Sequence, residues 1–146
     1  MSAAKLTPQQ RAAQSLFRVA PQVVRAVGCG SSNREFGLTF QQIRTLMYVA
    51  DCPRCLGDIA RERSVSAASA SVLVDGLEQD GFVTRATDKV DGRRIIVRLT
   101  DKGTQAYEAI RAMGEGSLTE MVDCLTDDEA EALATILAKV RERTAG

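Results

Sequence analysis

The sequence contains no histidine and no tryptophan, and aromatic residues make up only 4% of its 146 residues. The absence of histidine removes the side chain on which most general-base, serine-hydrolase and metal-dependent catalytic sites rely. Uninterrupted apolar runs of about 18 residues, which a membrane-spanning helix requires, are also missing. The first residues lack the apolar segment of a signal peptide. These absences predict a cytoplasmic protein that is not an enzyme and that uses no metal or cofactor.

The formal net charge is zero, from 19 basic and 19 acidic residues. The charges are unevenly distributed, because residues 1–63 hold nine basic and four acidic residues whereas residues 101–146 hold five and ten. Fifteen of the basic residues are arginines, the side chain best suited to contacts with phosphate and guanine. A basic face for a nucleic acid is therefore compatible with a neutral chain.

Capping motifs mark the starts of four helices. Three threonines are followed three residues later by glutamine or glutamate, the pattern of a capping box, and a fourth is a simpler N-cap. The four caps are Thr7, Thr39, Thr126 and Thr100. Apolar spacing predicts one helix from Pro8 to Val27, with Pro21 kinking or breaking it, and another from Phe40 to Ala50. Residues 28–33 are predicted to form a loop, and the chain after Thr100 is predicted to be helical.

A helix-turn-helix is predicted in the middle of the chain. A short helix from Leu56 to Arg63 leads through a tight turn into a helix from Ser66 to about Asp80, which Gly81 ends. This second helix is the candidate recognition helix for the DNA major groove. Its candidate DNA contacts are Ser66, Ala67, Ala68, Ser69, Ser71 and Val72. Because the helix has no basic residue, hydroxyl groups, apolar contacts and DNA shape are expected to supply its specificity.

A β-hairpin is predicted directly after the helix-turn-helix. Residues 82–85 and 94–99 alternate in the manner of strands, and the Asp91-Gly92 pair between them strongly indicates a hairpin. The basic residues at its tip are candidate contacts with the DNA backbone or minor groove. Lys89, Arg93 and Arg94 lie at or beside the tip, and Arg85 and Arg98 lie on the strands.

The segment Asp88–Gly103 resembles the wing signature of the MarR family of bacterial transcriptional regulators, D-x-x-D-x-R followed by a strand ending in L-T-x-x-G. The preceding segment Val65–Val83 is similar to that family's recognition helix and the turn into the wing. The order of elements from Pro8 to Val140 agrees as well. The resemblance implies a mainly α fold with a small β-hairpin wing, in which a winged helix-turn-helix is joined to a helical dimerisation region.

The resemblance also implies a single domain over residues 1–146, with dimerisation helices in 1–35 and 101–146 and the winged helix-turn-helix in 36–100. Two such modules in a homodimer would read the half-sites of a pseudo-palindromic double-stranded DNA operator. By the family pattern Arg93 lies near the minor groove and Asp91 braces the wing. The implied function is a repressor that is released by a small-molecule effector, commonly an aromatic acid, or by cysteine oxidation.

Cys52 and Cys55 form a C-x-x-C pair with an arginine between them, a setting that favours the thiolate. One interpretation is a redox switch in which oxidation strains the linker into the helix-turn-helix. Another is a metal or iron–sulfur site that also uses Cys29 or Cys124, although histidine and a second close pair are absent. Inert cysteines are a third interpretation. A catalytic dithiol is a fourth, without the βαβ context of thioredoxin-like proteins.

Two further function classes remain open at this point. A winged-helix module that binds a protein instead of DNA fits the lack of basic residues in the recognition helix. A thiol oxidoreductase depends on Cys52 and Cys55 alone. A DNA-binding assay distinguishes the first class from a repressor, and an insulin reduction assay tests the second.

Overall fold

The computed structural model describes residues 6–28 and 35–144, and their order of helices and strands is that of a mainly α protein with a small wing. The elements are α1 (Pro8–Gly28), α2 (Phe40–Asp51), β1 (Arg54–Cys55), α3 (Leu56–Arg63), α4 (Ala67–Gln79), β2 (Val83–Thr87), β3 (Ile95–Leu99), α5 (Asp101–Val122) and α6 (Asp127–Thr144). The predicted fold class is thus confirmed. The predicted loop at residues 28–33 lies outside the described residues except for Gly28, which ends α1. Among the described helices, none is both long and apolar enough to cross a membrane.

The predicted capping boxes are present. At α2 the Gln42 amide donates to Thr39 Oγ1 over 3.3 Å, and the Thr39 amide donates to Gln42 Oε1 over 2.8 Å. Equivalent reciprocal pairs precede α1 at Thr7 and α6 at Thr126. Each box satisfies two backbone N–H groups near the helix start. Because α1 continues as one helix through Pro21, the proline does not break it.

The helix-turn-helix consists of α3 and α4. Ser64 ends α3 in the left-handed conformation, with φ 54° and ψ 43°, and its N–H donates to the carbonyl of Arg61 over 3.0 Å. Ser66 then caps α4 by accepting a hydrogen bond from the Ser69 amide. A left-handed residue followed by an N-cap changes the direction of the chain within three residues. The hydrogen bonds at Ser64 and Ser66 therefore define the turn between α3 and α4.

The three strands form one antiparallel sheet in the order β1-β3-β2. The predicted hairpin pairs β2 with β3, with Thr84 opposite Arg98 and Arg85 opposite Val97. β1, which was not predicted from the sequence, pairs with the other edge of β3. A strand of two residues is too short to show an apolar alternation, so only the long-range pairing reveals it.

The buried core lies in the middle of the chain, under the helix-turn-helix and the sheet. Its fully buried apolar side chains include Leu46, Ile59, Val74, Leu77, Val97 and Ile110. In contrast, α6 has no buried residue. Large apolar side chains on α1 and α6 are exposed, and Phe17 is 82% exposed. The described chain therefore covers the apolar face of its winged helix-turn-helix but not that of its terminal helices.

The start of α5 packs very closely against the start of the hairpin. Thr100 Oγ1 donates to the carbonyl of Gly81 over 2.6 Å and accepts from the Gly103 amide over 3.0 Å. A Cβ atom on Gly103 would lie only 1.9 Å from the carbonyl oxygen of Phe82. The glycine of the L-T-x-x-G motif therefore permits an approach that no other residue allows.

Candidate nucleic-acid interface

The first turn of α4 is open to solvent. Four of the predicted contacts, Ser66, Ala67, Ala68 and Ser69, are exposed, and Val72 is exposed one turn later. The hydroxyl oxygens of Ser66 and Ser69 are 2.9 Å apart, and Ser66 Oγ also accepts from the Ser69 amide over 3.1 Å. This end of α4 is small and uncharged, so a phosphate or a base edge can approach its backbone closely.

Arg85 is turned towards α4 instead of towards solvent. Its Nη2 lies 2.6 Å from Asp75 Oδ1 and donates to the carbonyl of Ser71 over 2.9 Å. The Arg85 amide donates to Glu78 Oε1 over 3.1 Å. Its side chain is only 18% exposed. The structure therefore makes Arg85 the link that holds β2 against α4, and it brings the partly buried Ser71 into the same network.

We expect Arg85→Met to lower the free energy of unfolding by about 2 kcal/mol, because it leaves Asp75 and the Ser71 carbonyl without their cationic partner. Arg98→Met is the matched control. Arg98 lies on the neighbouring strand, is exposed, and forms no ion pair with a described residue. The control should change stability by no more than about 0.5 kcal/mol. Urea denaturation measures both, and equal losses would contradict the role of Arg85.

The tip of the wing is braced by two aspartates. Asp91 Oδ1 accepts from the Arg93 amide over 3.1 Å. Asp88 Oδ1 accepts from the amides of Val90 and Asp91 over 2.7 Å and 3.3 Å. These two N–H groups hold the pKa of Asp88 below its ordinary value. Of these two aspartates only Asp91 was predicted to brace the wing, although Asp88 is the first aspartate of the D-x-x-D motif.

Lys89 and Arg93 extend from this braced tip into solvent. Neither forms an ion pair with another residue that the structure describes. Val90, between the two aspartates, is almost fully exposed. A turn held by these hydrogen bonds, with two cations that have no ion-pair partner among the described residues, presents positive charge to solvent, as a phosphate contact requires.

Arg94 is directed differently from Arg93. Its Nη2 lies 3.7 Å from Asp58 Oδ2 on α3, and half of its side chain is exposed. It also lies near Cys55, and the Cys55 thiolate and the charge of Asp58 raise the pKa of Arg94. The structure thus brings together one predicted wing arginine and one predicted redox cysteine. No local sequence pattern pairs the two residues, because they are almost 40 positions apart.

Cys55 lies in β1 and is the N-cap residue of α3, while Cys52 is exposed before it. Burial raises the pKa of the Cys55 thiol, but the Arg94 side chain and the amides of Gly57 and Asp58 outweigh it, so the pKa is lowered. Cys52, Cys55 and Cys124 are free thiols. Over residues 6–28 and 35–144, no cluster of three or more metal-ligating side chains occurs.

Three comparisons with known proteins all find transcriptional regulators of the helix-turn-helix or MarR type. A profile described as the MarR family matches residues 36–94. An uncharacterised HTH-type transcriptional regulator of Bacillus subtilis, YwaE, is 33% identical over 84 residues, which are 58% of this chain. The matched part is 49% of YwaE, so the chain spans about half the length of that relative. The relative is named as a regulator and not as an enzyme.

Solved structures share the fold. The apo form of MarR from E. coli has a TM-score of 0.72 at 22% identity, covering 93% of this chain and 98% of that one. A MepR mutant from S. aureus bound to an oligodeoxyribonucleotide has a TM-score of 0.62 at 22% identity, covering 96% and 99%. The family profile, the curated relative and the shared winged-helix architecture agree. Residues 36–94, which hold the winged helix-turn-helix, match the MarR family of transcriptional regulators.

Proposed function

We propose that this chain acts in the cytoplasm as a homodimeric repressor that binds double-stranded DNA. The observation that carries the proposal is the braced wing, from which Lys89 and Arg93 extend without partners among the described residues, directly after an exposed recognition helix. The MepR neighbour bound to an oligodeoxyribonucleotide supports this reading.

The distribution of charge indicates which element contacts the DNA backbone and which contacts the bases. Because α4 has no basic residue, the wing supplies the attraction for the DNA backbone, with Lys89 and Arg93 at the tip and Arg94 behind them. The α4 contacts then read sequence through hydroxyl groups and small apolar groups. Five of the predicted α4 contacts are exposed to solvent and can reach DNA: Ser66, Ala67, Ala68, Ser69 and Val72. The sixth, Ser71, is partly buried beside Arg85 at the border of this exposed surface.

The homodimer is supported by the apolar surfaces that the described chain leaves uncovered. On α1 and α6 these include Leu16, Phe17, Ile136, Leu137 and Val140. We assign residues 1–35 and 101–146 to dimerisation and residues 36–100 to DNA binding. A two-fold dimer presents two recognition helices to half-sites about one helical turn apart, which predicts a pseudo-palindromic operator. Analytical ultracentrifugation is expected to give twice the chain mass.

A gel shift with the DNA upstream of the chain's own gene tests the proposal. A repressor should retard that fragment at concentrations at which random duplex of equal length stays free. Equal affinity for the two duplexes would contradict sequence-specific binding. Loss of all DNA binding would favour the protein-interaction module, for which the uncharged α4 is the supporting observation.

We further propose that release occurs through a small-molecule effector or through oxidation of Cys55, with Cys52 as the second thiol. Cys55 supports the oxidation route because its pKa is lowered by Arg94 of the wing, so that the thiolate is favoured beside the DNA-binding hairpin. A peroxide oxidises the Cys55 thiolate to a sulfenic acid and is itself reduced to water or an alcohol, and attack by the Cys52 thiolate then forms a disulfide and releases water. The gel shift should therefore weaken after mild peroxide and recover after dithiothreitol.

The lowered pKa of Cys55 makes a separate prediction. A thiol with a lowered pKa is already a thiolate at a pH where an ordinary cysteine is not, so Cys55 should react with iodoacetamide at lower pH. Arg94→Gln should move the pH midpoint of this reaction upwards, because it removes a contact that stabilises the thiolate. Arg93→Gln, one position away, should leave the midpoint unchanged. Mass spectrometry of the modified peptide measures all three, and identical midpoints would exclude the contact.

A further inference from the structure

A cleft of about 400 Å³ opens where the end of α2 meets β3 and the first turns of α5. Cys52 lines this cleft with its exposed thiol, together with Asp51 on the α2 side, Arg98 on β3 and Tyr107 on α5. The volume is within the range of small-molecule sites. None of the lining residues is among the predicted DNA contacts, so the cleft is separate from the candidate nucleic-acid interface.

Two opposite charges in the cleft have no ion-pair partner among the described residues. Asp51 and Arg98 are both exposed, and they form an ion pair neither with each other nor with another residue that the structure describes. A third charged group in the cleft, Glu108, is already paired with Arg111 over 2.9 Å. An anion and a cation that are held apart in one cleft are complementary to a zwitterion.

Cys52 adds a reactive sulfur to this pattern of charges. Because Cys52 directly follows Asp51, a ligand whose ammonium group pairs with Asp51 lies close to the Cys52 thiol. Arg98 on the facing strand is then the partner for a carboxylate of the same ligand. A thiolate exchanges with a disulfide without a metal and without a further oxidant. The chemistry of the cleft therefore suits a zwitterionic disulfide.

We propose that this cleft binds the disulfide of an amino-acid thiol, of which cystine is the simplest, and that Cys52 exchanges with it. The Cys52 thiolate attacks one sulfur of the ligand, a bond forms between these two sulfurs, and the disulfide bond of the ligand breaks. One amino-acid thiolate leaves and takes up the proton that Cys52 released. The ligand disulfide is the oxidant, and the chain retains one amino acid as a mixed disulfide. In the peroxide route, by contrast, Cys55 is oxidised first.

Mass spectrometry of the Cys55→Ser chain after treatment with cystine tests this capture. The serine cannot displace the amino acid from Cys52, and trypsin cleaves after Arg54, which separates the Cys52 peptide from position 55. Hydroxyethyl disulfide is uncharged and reports the reactivity of each thiol without the charges of the ligand. Cys124, an exposed free thiol outside the cleft, is the reference within the chain.

The measured quantity is the rate of modification by cystine divided by the rate with hydroxyethyl disulfide. We expect this ratio to be at least about fivefold higher at Cys52 than at Cys124. Cystamine, which lacks the carboxylates, and dithiodipropionate, which lacks the ammonium groups, should each lose this preference for Cys52. A ratio that is no higher at Cys52 than at Cys124 would overturn the proposal.

Arg98→Met and Asp51→Asn test the two charges, and both variants should fold because both side chains are exposed. Each should lower the ratio at Cys52 at least about threefold, because each removes the partner of one charge of the ligand. Loss of the carboxylate beside Cys52 favours the thiolate and should not slow the reaction with hydroxyethyl disulfide, so Asp51→Asn distinguishes binding from reactivity. Arg61→Met, with a side chain that is 80% exposed outside the cleft, should leave the ratio unchanged. An unchanged ratio in Arg98→Met or Asp51→Asn would reject the proposed binding mode.

A gel shift separates the capture from its consequence for DNA binding, which rests on the proposed function. The cleft lies between β3 of the wing and α5 of the proposed dimerisation region, so an occupant contacts both. Treatment of the Cys55→Ser chain with cystine should weaken DNA binding at least about threefold, and dithiothreitol should restore it. The chain with both Cys52→Ser and Cys55→Ser should not respond to cystine.

The outcomes of the two experiments are distinguishable. Capture at Cys52 without a change in DNA affinity would reject the regulatory consequence of the mixed disulfide. Absence of DNA binding under all conditions would reject the proposed function and leave the result from mass spectrometry intact.

Discussion

Replacing Arg93 and Arg94 together with alanine is expected to lower DNA affinity by about 100-fold or more and to flatten its dependence on salt. The reason is the distribution of charge around α4, which carries two acidic residues and no basic one. The wing must then supply the phosphate contacts that a basic recognition helix would otherwise share. Each phosphate contact that is lost should reduce the slope of log affinity against log salt by about 0.9.

The two arginines should not contribute equally. Arg93 extends from the tip braced by Asp88 and Asp91, whereas Arg94 is partly engaged with Asp58 and Cys55. We therefore expect Arg93→Ala to cause the larger loss of the two single variants. Fluorescence anisotropy with a labelled operator duplex, repeated over a series of KCl concentrations, measures both affinity and slope.

A matched control for the double variant replaces Arg141 and Arg143 at the end of α6. These exposed arginines carry the same charge and lie outside the winged helix-turn-helix. Their replacement with alanine should leave the salt slope unchanged. A loss of less than about threefold in the Arg93 and Arg94 variant would contradict the wing as the main anchor.

Gly103→Ala is expected to have the largest effect on stability, lowering the free energy of unfolding by about 3 kcal/mol or more. The added methyl group would lie 1.9 Å from the Phe82 carbonyl oxygen and 3.4 Å from Leu99 Cδ2. Relief requires α5 to move away from the hairpin. That movement would break the hydrogen bonds by which Thr100 joins the Gly81 carbonyl to the start of α5.

Gly116→Ala is the control for this prediction, because it makes the same change in the same helix. A Cβ at Gly116 meets no atom within 4 Å. Alanine is the better helix former, so this variant should gain about 0.5 to 1 kcal/mol. Guanidinium denaturation followed by circular dichroism compares the two variants. Losses of less than about 1 kcal/mol in Gly103→Ala would show that α5 adjusts easily.

Much of the fold is predictable from local sequence. The bounds predicted for α3 agree with the structure, and α4 begins one residue after its predicted start at Ser66, which is the N-cap. The capping boxes at Thr7, Thr39 and Thr126 form as expected. These features depend on residues within one helical turn of each other, so the information that specifies them is contained in a short stretch of chain.

The candidate site is only partly predictable in this way. The hairpin and its tip could be identified, because the Asp91-Gly92 turn and the strand alternation are local. The roles of the hairpin's arginines could not be identified from the sequence. Arg85, Arg93 and Arg94 look alike in sequence, but the first is bound to Ser71 and Asp75, the second is exposed, and the third reaches Asp58. Which acceptor a long side chain meets depends on how distant elements pack.

The sequence by itself determined the order of the helices, the capped helix starts, the wing hairpin and the resemblance to the MarR family, because each of these depends on neighbouring residues or on a contiguous motif. The tertiary structure decided the pairing of β1 with β3, the proximity of Arg94 to Cys55, the burial of Arg63 and the close approach at Gly103. Each of these joins segments that are far apart in the chain or depends on burial created by them. Such contacts form only when packing brings distant residues together.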